Sequence, residues 1–574
     1  MNSVSENSYQ EVILGLVAPI GVDLDKIVDH LCQVVKKFNF EPVVIQVNQL
    51  QNILELEELT TIDRTELDSR SIEMGKLRKN NADTGIESEV FTSLFIKYLS
   101  CSRSSDNKVY ILDSLKRPEE IERLKTIYGK SFYTVGVTST YEDRIKQKTK
   151  ELGDSEVAKK QVDEDYEKQI NSKDPFNNQT NKAFQLSDLF LNLSDENLTL
   201  VYSHLERFVD LIFGAPIVTP TPNEHNMFLA YMSSLRSADL SRQVGSAITN
   251  QHHDIIAMGA NDVPQYGGGH YWPDTPYIVY DTDNKNNHLF EDQRDYTLGV
   301  DKNSEEKDNI IYDIITSLKT AVTDVSTDKL YELINKTKLA DITEYGRAVH
   351  AEMSALMTAA RNGVKVNKAT MYCTTYPCHN CAKHIVAAGL DKVFYIEPYP
   401  KSKAIELHKD SITDTEFSDN HKVKFEAFSG IGPKRYQDLF SMKLGDGQPI
   451  IRKIGSESIP FNRNSVKSLR VPVNIKVTKL NEDDYLTSSP EISYISEKLV
   501  DENRKTSEIK FFLKSEKYGC IKALSDYEND LFFRIVNLDD AADIELIKRN
   551  AKVSFEIVKG DKKGVLFADK IQFT

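Results

Sequence analysis

Three residues of types that bind transition metals fall within one short span: His350, followed by Ala351 and Glu352, and then Cys378 and Cys381 in Pro377-Cys378-His379-Asn380-Cys381. One imidazole and two thiolates are a donor set for catalytic zinc, which uses three protein ligands and leaves a fourth position for water. Glu352 is left over to move protons. Helical spacing of Met353, Leu356, Met357 and Ala360, stopped by Asn362-Gly363, puts His350 and Glu352 at a helix start. Residues 369–375 read as a buried strand. Pro377 suits the first turn of a second helix, on which Cys378 and Cys381, three apart, share a face. The positive end of that helix favours both thiolates. Taken alone, H-x-E says little and C-x-x-C also serves redox pairs and four-ligand structural sites. Cys373, inside the expected strand, reads as a buried, inert thiol.

The composition limits what surrounds this centre. A chain of 574 residues should divide into about three or four domains. Six cysteines, two of them spent on metal, point to a reducing compartment. Met1 to Gln10 is polar, without a basic flank or an apolar run, and no segment reaches about 18 unbroken apolar residues. The expectation is a soluble, cytoplasmic protein with no membrane partner. A net charge of −15 argues against indiscriminate nucleic-acid binding over the whole surface.

The first third alternates strand and helix. Val12 to Val17 is apolar, Gly21 lies in the turn that follows, and Leu24, Ile27, Val28, Leu31, Val34, Val35 and Phe38 mark a helix. Further strands are expected at 43–47, 109–112 and 132–137, and a helix at 91–99, which together imply a parallel sheet. The domain resembles P-loop nucleotide kinases, and that resemblance makes Gly15, Gly21 and Asp113 a candidate nucleotide or effector loop. The motif is degenerate: five residues separate Gly15 from Gly21, and Val22-Asp23 stand where Lys-Ser/Thr is expected. A regulatory role is expected, with active NTP hydrolysis as the alternative. Lys116, Arg117 and Arg144 read as solvated charges. The prolines Pro216, Pro220 and Pro222 mark a boundary.

Beyond that boundary, Arg242-Gln243-Val244-Gly245, Asn261 to Pro264, His350 to Glu352 and Pro377 to Cys381 occur in an order that resembles the deoxycytidylate deaminases. H-x-E with P-C-x-x-C is the known signature of zinc deaminases. The resemblance implies a cytidine deaminase-like α/β/α domain, Zn2+, hydrolytic deamination of deoxycytidine nucleotides, a homo-oligomer, and substrate contact by the matching asparagine, Asn261. Arg242, Ala351, Gly268, Gly269 and His270 complete the expected substrate-binding set, with the glycines of Tyr266-Gly267-Gly268-Gly269-His270 either admitting phosphate or serving flexibility alone. Pro398 to Ser402 and Lys403 could border the phosphate end. Combined with the degenerate kinase-like domain, the order is similar to bacterial anti-phage dCTP deaminases, which implies dCTP depletion during phage infection.

Five β-like runs near the end of the chain suggest a small OB or cold-shock-like barrel. Tyr518, Phe532 and Phe533 lie where the nucleic-acid-binding strands of cold-shock domains carry aromatics, although Cys520 replaces one. Regulatory RNA or single-stranded DNA binding and an interaction-only barrel both stay open. The expected fold class is α/β: a kinase-like parallel-sheet domain (1–215), a deaminase domain (216–430, with an insertion at about 273–345), a linker (431–500) and a β-barrel (501–574). The function reading is conversion of dCTP and/or dCMP to deoxyuridine nucleotides and ammonia. Its alternatives are cytosine or adenine deamination in RNA or single-stranded DNA, and a nucleotide-sensing scaffold with a silent deaminase.

Overall fold

The structure, a computed structural model, describes residues 9–46, 90–103, 106–171, 179–273, 277–280, 287–290, 292–319, 325–337, 339, 342, 344–399, 402–414, 421–442, 449–465, 469–472, 474–488, 505–513, 518–522, 531–534, 547–548, 551–559 and 566–573. They fall into two compact units. The larger runs from the first strand through residue 475 and is mixed α/β. The smaller takes the Val90–Ser102 helix and the chain from 476 onward.

Two six-stranded sheets build the larger unit. The first contains β1 (Glu11–Val17), β2 (Glu41–Ile45), β3 (Lys108–Leu115), β4 (Phe132–Thr138) and β5 (Leu189–Asn192). The second contains β6 (Gly245–Thr249), β7 (Ile255–Ala260), β8 (Thr370–Thr375), β9 (Lys392–Glu397), β10 (Ile412–Thr413) and β11 (Val423–Ala427). A late strand, β12 (Gly430–Ile431), returns to the first sheet and gives the order β12-β5-β4-β1-β3-β2. All its pairs are parallel except β12 with β5. Buried runs such as that of β1, where every residue is buried, are what strands covered on both faces require.

The second sheet has the order β10-β11-β9-β8-β6-β7. Its β8 to β11 pairs are parallel, whereas β6 lies antiparallel to both β7 and β8. Strands β6 and β7 form a hairpin. Helices α1 (Leu24–Lys36) and α2 (Leu198–Ile212) pack in the core of the first sheet. Helices α3 (Pro222–Ser234), α4 (Ala351–Arg361) and α5 (His379–Ala387) belong to the second.

The segment 184–212 contains β5, whose four residues are too few to show a period of two. Part of the expected linker is core: Ile431, Leu439 and Leu469 are buried with the helices of the first sheet. In the smaller unit the strands Lys505–Leu513, Tyr518–Ile521, Leu531–Arg534, Lys552–Lys559 and Leu566–Phe573 close into a barrel. Among the described residues no helix is long and apolar enough to cross a membrane.

Candidate metal centre and its cavity

Helices α4 and α5 both start at the same place. His350 is the N-cap of α4, with extended backbone, and its carbonyl accepts the Ser354 N–H at 2.8 Å. Cys378 is the N-cap of α5 in the same conformation, and its carbonyl accepts from Ala382 at 2.9 Å. Cys381 follows in the first turn. Capping thus fixes two ligands by backbone geometry, and the third, Cys381, lies within a turn of one of them.

His350 Nδ1 lies 3.3 Å from Cys378 Sγ and 3.4 Å from Cys381 Sγ. All three donor atoms are within 4.8 Å of one another, and this is the metal-capable cluster among the described residues. A tetrahedron with Zn–S of about 2.3 Å and Zn–N of about 2.0 Å has an S···N edge of about 3.5 Å, so the donor types and spacing fit zinc. The protons report the same convergence. His350 is raised to about 9, chiefly by its hydrogen bond with Cys378 and against the effect of burial. Cys378 is lowered to about 3, first through hydrogen bonding with Cys381. Cys381 is correspondingly pushed up by the same contact. A thiolate beside an imidazolium is what a cation replaces when it displaces the shared proton.

Cys373 lies apart from this trio, fully buried in β8, with its thiol 3.6 Å from Ser246 Oγ. Burial raises its pKa well above the usual thiol range, which makes it inert. Glu352 is 4% exposed, and burial raises its carboxyl, with His350 opposing. A raised carboxyl of this kind is a candidate to take up and return a proton.

His350, Cys378 and Glu352 face a cavity of about 650 Å³, which Ala351, Asn261, Arg242 and Tyr399 also line. Asn261 Oδ1 accepts the Val244 N–H at 2.7 Å and its Nδ2 donates to the Arg242 carbonyl at 2.8 Å. Its first task is therefore to shape the entry to β6, and each side-chain atom retains one further hydrogen-bonding position. The Arg242 guanidinium lies over the Tyr399 ring at 5.1 Å.

The glycine loop does not line the cavity. Gly268 has φ +97° and lies against Arg361, the last residue of α4, whereas the metal residues cap that helix at its other end. Eleven residues at 1.5 Å each separate the two ends by about 16 Å. His270 is buried, lowered to about 4 by burial and by Arg236 and Arg361. Lys403 lines the cavity, and Lys401 lies outside the described residues. The sequence reading passed over Arg347 and Asp295, which also line it. A cation three residues before a metal ligand was the available signal for Arg347.

The loop after β1 is closed by its own chain. The Ile20 N–H donates to Asp165 Oδ2 at 3.3 Å, and Arg144 donates to the same oxygen at 2.9 Å and to the Ile20 carbonyl at 2.7 Å. Lys116 Nζ donates to the Ala18 carbonyl at 2.6 Å. A Cβ on Gly21 would meet the Arg144 carbonyl at 2.6 Å, and Gly15 packs inside β1 against Leu115. Asp113 is buried within β3. Lys116, Arg117 and Arg144, expected as solvated charges, are all buried: Lys116 and Arg144 bond to the turn, and Arg117 donates to Glu119 at 3.0 Å. In the barrel, Phe533 is fully buried in the core with Ile509 and Phe555, which removes its ring from solvent. The side chains of Tyr518 and Phe532 lie outside the described residues.

Residues 221–397 match the family described as "Cytidine and deoxycytidylate deaminase zinc-binding region". The deoxycytidylate deaminase of Enterobacteria phage T4 is 49% identical over 55 residues, 10% of this chain and 28% of that protein. The human deoxycytidylate deaminase is 24% identical over 173 residues, 30% of this chain and 63% of that protein. The chain therefore spans less than a third of the length of the phage T2 and T4 relatives it matches. Among solved structures, the dCMP deaminase from cyanophage S-TIM5 in complex with dCMP and dUMP aligns with a TM-score of 0.20 and 16% identity, covering 37% of this chain and 99% of that one.

Proposed function

We propose, starting from the deaminase zinc-binding region at 221–397, that the protein hydrolytically deaminates deoxycytidine nucleotides, dCTP and/or dCMP, to deoxyuridine nucleotides and ammonia. One observation carries this reading: His350, Cys378 and Cys381 converge beside a buried carboxyl on a cavity large enough for a nucleotide. Zinc, which the three donors would hold, would supply the acidity that brings the pKa of water toward about 7. Glu352 takes a proton from the attacking water and delivers it to N3 of cytosine as the water oxygen bonds to C4. Glu352 then takes the remaining hydroxyl proton to the amine, the C4–N bond breaks, and ammonia leaves with the carbonyl formed. Burial raises the proton affinity of Glu352, the direction that both transfers favour. In this reading Ala351 and Asn261 hold the base and sugar and Arg242 holds a phosphate, which their place in the cavity lining supports.

The N-terminal domain is a degenerate P-loop kinase-like domain with a regulatory role, a reading supported by the carboxylate of Asp165 on the loop nitrogen where a nucleotide phosphate would bind. The barrel is OB or cold-shock-like, with regulatory RNA or single-stranded nucleic acid as its partner. The assembly is a cytoplasmic homo-oligomer, and its cellular effect is a drained dCTP pool in anti-phage defence. Zinc-replete protein incubated with dCTP, dCMP and a cytosine-containing oligonucleotide, with products separated by chromatography, tests the central claim. Ammonia and a deoxyuridine nucleotide are expected. Deamination of the oligonucleotide alone would favour nucleic-acid editing, and no product would leave a silent sensor.

A further inference from the structure

Two guanidiniums face the cavity, and they are held very differently. Arg242 keeps 45% of its side chain exposed, and its carboxylate neighbour Glu397 is 3.8 Å away, too long for a firm pair. Arg347 is engaged at close range: it donates at 2.9 Å to Asp295 Oδ1 and at 2.9 Å to the Gln293 carbonyl. Asp295 belongs to the segment inserted ahead of the metal residues. That segment is anchored by Arg294, which grips Asp292 and comes within 3.5 Å of the buried Asp262, next to Asn261. Asp295 is thus a fixed internal anion set on a cavity cation, and it cancels that charge where an anionic substrate would sit.

We propose that Arg347 determines selectivity for phosphate-chain length, releasing Asp295 to grip the distal phosphates of a nucleotide whose first phosphate lies on Arg242. The proposal rests on the deamination reading and deepens it. A guanidinium binds phosphate through the same planar fork that it offers a carboxylate, so Arg347 exchanges one anion for another and is never left unpaired. A nucleoside has no phosphate to displace Asp295, and a monophosphate is served by Arg242. Only a longer, more highly charged tail competes for Arg347. The insertion then acts as a counter-anion that makes the cavity demand a tail.

The test compares kcat/KM for deoxycytidine, dCMP and dCTP on full-length, zinc-replete protein with Arg347→Met, Arg347→Lys and Asp295→Asn. Arg347→Met should lower the dCTP-to-dCMP ratio about tenfold or more, as expected for a lost charge-assisted pair. Lysine should restore part of it, and Asp295→Asn should raise it severalfold. A ratio taken within one preparation does not depend on the fraction folded. An unchanged ratio in Arg347→Met overturns the proposal, as does a fall in Asp295→Asn, which would make Asp295 a support for Arg347. Should the wild type turn over none of the three, the deamination reading fails instead. Equilibrium binding of dCTP against dCMP to the same proteins then decides the role of Arg347, with equal ratios across the variants overturning it.

Discussion

Glu352 and Cys378 should fail in different ways. Glu352→Gln is expected to retain zinc by elemental analysis while ammonia release falls by about 10²–10⁴-fold, because the amide cannot carry the proton. Cys378→Ala should lose both metal and turnover, and retained stoichiometric zinc would contradict the ligand set. His270 gives a pH signature of a different kind. Its folded pKa is near 4 against an ordinary 6.5, so between these values the unfolded chain binds a proton that the folded one refuses. Its stabilising contribution is complete above pH 6.5 and is lost as pH falls toward 4. Urea midpoints should therefore decline across that window, and His270→Gln should flatten the decline by about 1–3 kcal/mol. The metal trio was legible in the sequence because residue type and short spacing specify it. Arg347 and Asp165 were not, because their partners lie 52 and 145 residues away along the chain.

The centre depends on how closely α4 lies on its hairpin. A Cβ on Gly259 of β7 would come 2.3 Å from the Ala351 carbonyl and 2.4 Å from the Ala355 nitrogen, both in the first turns of α4. Gly259→Ala must push away the turn that carries Glu352. A loss of about 1–3 kcal/mol or more is expected, read as a lower thermal midpoint together with weaker zinc retention against a chelator; an unchanged midpoint would mean the helix has room to shift. At this scale the sequence announced elements with clear local patterns: β1, α1, β3, β4, α4 and α5. It missed β5 and β12, which have four and two residues and owe their form to neighbours rather than to any pattern of their own.

Across the larger unit, one side-chain cluster joins the two sheets: Phe190 of β5 packs with Met227, Tyr372, Phe394 and Phe428. Glu224 reinforces it. Its buried carboxylate takes Arg207 at 2.6 Å, the Thr221 N–H at 2.7 Å and the Ile431 N–H of β12 at 2.8 Å. Glu224→Ala leaves Arg207 and two amides without that carboxylate and should cost about 3–5 kcal/mol. Urea unfolding measures it, and a change under about 1 kcal/mol would show that the two sheets are held without this residue. The boundary prolines read from the sequence do fall between the sheets, but no local pattern could reveal that a two-residue strand comes back across that boundary. During synthesis this return has a cost in time. At about 5–20 residues per second, the ribosome needs tens of seconds between finishing β5 and delivering β12. Throughout that interval the nascent N-terminal sheet carries a bare edge on β5, ready to pair with any passing strand. Only when Gly430 and Ile431 arrive do Phe190 and Leu189 gain their outer strand partner.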